Sequence, residues 1–69
     1  MKTPDVIATG CRSVALFEPQ THAAACWLSW RCDAELENTH DQIRVDASDE
    51  QQIIKELRAA GFEVIQQRS

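Results

Sequence analysis

The stretch QIRVDASDEQQIIKELRAAGFEVIQQ, residues 42–67, reads in order as strand, capped helix, glycine stop and strand. Ile43 and Val45 alternate with Arg44, the two-residue period of a half-buried strand. Ser48-Asp49-Glu50-Gln51 has the form of a capping box, in which the Ser48 hydroxyl accepts from the amide three residues on and Gln51 reaches back. The helix is therefore predicted to begin at Ser48. Ile53, Ile54, Leu57 and Ala60 follow at helical spacing, and Lys55 and Arg58 lie toward the end where the helix dipole favours cations. Gly61 suits the left-handed residue that follows a last turn. Residues 62–65 then resume as a strand.

Working toward the N-terminus, residues 37–41 form an acidic, polar connection, with Asn38 as the expected end of a preceding helix. That helix is predicted to follow Pro19, with Thr21 as its N-cap. Ala23, Ala24, Trp27, Trp30, Arg31 and Ala34 fall within one broad stripe, which assigns both indoles to the core. Opposite them, His22, Cys26, Ser29 and Asp33 make a second line facing solvent or a partner. Residues 12–17 contain Ser13-Val14-Ala15-Leu16-Phe17, whose poor polar alternation predicts a strand buried on both faces and ended by Pro19. Residues 1–11 are weakly patterned, punctuated by Pro4 and Gly10, and are expected to form a flexible N-terminal segment ahead of a domain at 12–69. The expected fold is a compact single α/β domain of β-α-β-α-β order. Right-handed crossovers between parallel strands would set both helices on one face of a three-stranded sheet. The other sheet face is left open, for a homodimer or another partner.

Size and charge bound the function. At 69 residues the chain holds one small core, so association with a partner is expected to add to its stability. The formal net charge is −4, and residues 33–50 hold seven acids against Arg44 alone. Such a band disfavours direct nucleic-acid binding, which needs Lys and Arg to replace phosphate counterions, and favours a protein with a basic surface. Glu35, Glu37, Asp41, Asp46, Asp49 and Glu50 are the candidate partner-binding residues. Three cysteines, an odd number, suit a reducing compartment. No apolar run approaches membrane-spanning length and no signal-peptide pattern opens the chain, so a soluble, cytoplasmic protein is expected.

Catalytic chemistry finds no foothold in the pattern. Two glycines are too few for a phosphate-cradling loop. Neither Cys11 nor Cys26 is followed by Arg six residues on, as a phosphatase nucleophile would be, and no base or oxyanion site accompanies them. No catalytic residue, no enzymatic activity and no cofactor are assigned. The alternative reading is a metal-binding or thiol-based regulator built on His22, Cys26, Cys32 and His40, because imidazole and thiolate are the ligands zinc prefers. His22 and Cys26 lie one helical turn apart, whereas Cys32 points to another face and no Cys-x-x-Cys pair exists.

Phe17-Glu18-Pro19-Gln20-Thr21, followed by Ala24 and Trp27-Leu28, resembles the opening of small proteins encoded by bacterial viruses and prophages. The acidic capped helix ending in Ala60-Gly61-Phe62 is similar in style. The resemblance implies a compact accessory protein acting by contact. It points to the class that includes inhibitors of host defence such as anti-CRISPR proteins, some of which bind basic channels with acidic surfaces. The sequence thus predicts a non-enzymatic protein-binding module, with self-association through the open sheet face as a further alternative.

Overall fold

A computed structural model of the chain describes residues 3–33 and 41–68. The elements are β1 (Val6–Cys11), β2 (Val14–Pro19), α1 (His22–Cys32), β3 (Ile43–Asp46), α2 (Ala47–Ala59) and β4 (Val64–Arg68). The sheet order is β3-β2-β1-β4, with β1 antiparallel to β2, β2 antiparallel to β3, and β1 parallel to β4. The α/β class holds, but the sheet has four strands rather than three. Only one of its three pairings is parallel.

The additional strand is β1, within the segment expected to be a flexible lead-in. Val6 and Ala8 are fully buried, and β1 is hydrogen-bonded on both sides. Residues 12 and 13, expected to open a strand, are instead the two-residue turn of the β1–β2 hairpin, with Arg12 at φ 28°. Asp5 fastens the start of β1. Its backbone N–H donates to the Glu63 carbonyl, its Oδ2 accepts from the Glu63 N–H at 2.8 Å, and its Oδ1 accepts from the Thr21 hydroxyl at 3.4 Å.

Burial explains the layering. The register aligns Val6, Ala8, Ala15, Phe17, Ile43 and Val64 on one sheet face, where Ala24 and Leu28 of α1 and Ile53, Ile54 and Leu57 of α2 join them in one core. Burying a side chain such as Phe17 or Leu28 contributes about 1.5–3 kcal/mol. Contrary to the expectation of burial on both faces, β2 alternates: Ala15, Phe17 and Pro19 are buried, whereas Val14, Leu16 and Glu18 lie half-buried on the other face with Ile7 and Thr9. Among the described residues no helix lies over that face.

Helix ends differ from expectation in instructive ways. Thr21 caps α1 as predicted, accepting from the Ala24 N–H at 3.2 Å. The helix ends at Cys32 and not near Asn38, because Asp33 adopts left-handed backbone (φ 51°), which a short polar side chain tolerates. Ala34 and Asn38 lie outside the described residues. For α2, Ser48 is not the cap: β3 runs directly into the helix, Asp46 takes the N-cap position, and the Ala47 N–H donates to the Ser13 carbonyl at 3.0 Å. The hairpin turn thus satisfies a donor that a capping side chain would otherwise serve. The other end is as predicted. Gly61 (φ 95°) follows the cap, the Gly61 N–H donates to the Arg58 carbonyl, and the Phe62 N–H donates to the Leu57 carbonyl, the bond pair of a Schellman motif.

Candidate functional site

The acidic residues of the sequence reading divide between two sides of the α2 N-terminus. Asp46 and Asp49 are exposed, three residues apart, and hence on neighbouring positions of one helix face. Asp46 makes no side-chain capping bond, so its carboxylate is not used up by the helix it precedes. Their negative charge is favourable where α2 presents unpaired N–H groups. Glu50 turns elsewhere: it is half-buried, and its Oε2 lies 3.5 Å from where a Cβ on Gly10 would stand, on the hairpin side. Asp41 is half-buried just before β3. Glu35 and Glu37 lie outside the described residues.

Asp46 and Asp49 border an open hollow of about 530 Å³ between the end of α1, β3 and the start of α2. Arg31, Cys32, Asp33 and Arg44 also line it, together with the apolar residues Val14, Val45 and Ile53. Arg31 is held by Glu56 across the two helices, with Nε to Oε1 at 2.7 Å and Nη2 to Oε2 at 3.0 Å. This two-pronged hydrogen bond, supplemented by Gln52 at 3.0 Å, holds the Glu56 carboxyl down at about 2 and pushes the Arg31 guanidinium up. Burial pushes the Cys32 thiol up, with neighbouring Arg31 opposing. A thiol kept protonated in this way is a weak nucleophile and a poor redox sensor.

The metal-ligand candidates are not assembled. His22 Nε2 and Cys26 Sγ are 3.6 Å apart on the exposed side of α1. Cys32 packs instead against the core, on another side of the helix. His40 lies outside the described residues. Among the described residues no group of three or more His, Cys, Asp or Glu side chains is set to hold a metal ion. None of the three cysteines is in a disulfide.

The indoles correct a second expectation. Trp27 packs against the core and meets Phe62 edge-on, with ring centroids 6.3 Å apart. Trp30 does not: 79% of its surface is exposed. The broad stripe drawn through both indoles spans too wide an arc. At 3.6 residues per turn, Trp30 lies well over a quarter-turn from the buried Ala24 and Leu28, whereas Trp27 lies beside Ala24. Helical angles measured from Ala24 and Leu28 separate the two tryptophans.

No helix among the described residues is long and apolar enough to cross a membrane. Comparison of the chain with protein-family models, with curated proteins and with solved structures finds no match.

Proposed function

We propose that the protein is a non-enzymatic protein-binding module that meets a basic partner surface through the carboxylates where β3 passes into α2. The observation that carries this reading is the presentation of Asp46 and Asp49: both are exposed and held on rigid elements, and no capping bond ties up Asp46. Asp41 belongs to the same acidic stretch of the sequence, ahead of the start of β3, whereas Glu35 and Glu37 lie outside the described residues. Carboxylates fixed in this manner steer a cationic partner without having to be ordered first. The resemblance of the Phe17–Leu28 region to small virus- and prophage-encoded proteins supplies the setting: an accessory protein or inhibitor, of anti-defence type, acting in the cytoplasm. An odd number of cysteines, three, suits that compartment.

The test is capture from a bacterial lysate by immobilised protein, with the Asp41→Lys, Asp46→Asn, Asp49→Asn triple variant in parallel. Asparagine is chosen at positions 46 and 49 because it keeps the capping preference without setting a cation at the helix N-terminus. A basic protein or complex retained by the native chain, released by salt and lost with the variant is the expected result. Equal retention by native and variant proteins would reject the acidic margin as the contact.

A further inference from the structure

The four nitrogen and sulfur ligand candidates are not gathered into one cluster, but two of them are brought together. His22 and Cys26 stand one turn apart on α1, and both are exposed. Thr21 caps the helix immediately ahead of His22, and its carbonyl accepts from the Ala25 N–H at 3.0 Å. The turn that carries the pair is therefore fixed by its own backbone. Across it, His22 Nε2 lies 3.6 Å from Cys26 Sγ.

That separation is the one a tetrahedral ion sets between two of its ligands. Zinc bonds imidazole nitrogen at about 2.0–2.1 Å and thiolate sulfur at about 2.3 Å, which places the two donor atoms about 3.6 Å apart at the tetrahedral angle. The same spacing also suits a weak S–H···Nε2 hydrogen bond, so the chelating geometry is reached without rotating either side chain. The other two thiols are placed differently. Cys32 packs against the core on another side of the helix, and Cys11 ends β1, half-buried.

We infer that His22 Nε2 and Cys26 Sγ together chelate one divalent transition-metal ion of zinc type on the exposed side of α1. The ion takes the place of the thiol proton, which leaves to solvent, and sheds water to bond both donors. Two tetrahedral positions then remain for water or an external ligand, in contrast to the closed four-ligand sites that hold folds together. The chain is accordingly expected to fold without the ion. Sulfur and imidazole donors favour zinc over calcium or magnesium, which take oxygen. The pair lies in the first half of α1 and uses neither Asp46 nor Asp49, so it does not depend on the function proposed above.

Titration of the reduced, full-length chain with Co²⁺, a coloured stand-in for Zn²⁺, tests the site. A thiolate-to-cobalt charge-transfer band is expected in the near ultraviolet, saturating at one ion per chain and erased by added Zn²⁺. His22→Ala and Cys26→Ser should each abolish saturable binding. Both positions are exposed, so neither change opens the core, and far-UV circular dichroism verifies that each variant is folded. Cys11→Ser and Cys32→Ala should leave the band unchanged. Because both ligands belong to one turn of a folded helix, Zn²⁺ should raise the melting temperature of the native chain and leave that of Cys26→Ser where it was. In the Cys11→Ser, Cys32→Ala double variant, whose one thiol is Cys26, Zn²⁺ should slow alkylation. A native chain that gives no cobalt band overturns the inference. So does a band that survives His22→Ala, which would assign it to a bare thiol, or one lost with Cys32→Ala but kept by Cys26→Ser.

Discussion

Arg12 occupies a two-residue turn at φ 28°, backbone that an L side chain adopts at a cost of about 1–2 kcal/mol. Glycine carries no such penalty, so Arg12→Gly is expected to stabilise the protein by up to about 1 kcal/mol, read as a higher urea midpoint with an unchanged m-value. The same residue explains why the hairpin was not legible in the sequence. Two-residue hairpins announce themselves through Asn-Gly, Asp-Gly or a leading glycine, and Arg12-Ser13 has none of these. Without that signal the turn merges into the apolar run beginning at Val14, and β1 goes unnoticed. Asp5 was equally silent. Its four described hydrogen bonds depend on Gln20, Thr21 and Glu63, partners brought to it only by the completed fold.

Elements whose determinants are local were read correctly. The Thr21 cap, the buried Ile53, Ile54 and Leu57 of α2 and the Gly61 stop all lie within a few residues of the structure they specify. The start of α2 was misplaced because its first donor is satisfied by Ser13, distant in sequence. Of the candidate site, the acidic residues at 46 and 49 were legible from charge alone, whereas the separation of Glu50 from them required the position of Gly10. The Arg31–Glu56 pair that couples the helices likewise spans 25 residues. Glu56 is held at about 2 against an ordinary value near 4.5, so the folded chain binds this proton less readily than the unfolded chain. The pair therefore stabilises the fold above the ordinary carboxylate range, and that contribution is lost as pH falls through the interval down to about 2. Both side chains are about one-third exposed, and solvent screening keeps the effect small. Glu56→Gln should melt below the native protein at neutral pH. The gap between their melting temperatures should close on acidification through that interval.

At the scale of the whole molecule, β1 joins the β2–β3 half of the sheet to β4. Removing residues 1–11 therefore deletes an interior strand and leaves β4 without a neighbour. The truncated chain is expected to unfold, seen as collapse of amide proton dispersion in its NMR spectrum, because a domain this small has little stability in reserve. A folded 12–69 fragment would restore the original expectation of a dispensable N-terminal segment. The parallel pairing of β1 with β4 has one more consequence. Val6 lies beside Val64, so strands near the two ends of the chain become neighbours only after everything between them has been laid down. Pairings this distant in sequence slow folding, since the intervening loop must close before any contact rewards it. On the ribosome the hairpin and both helices are free to form as they emerge. The sheet is completed only once β4 has emerged as well, so β1 waits for its second neighbour until more than fifty further residues are available.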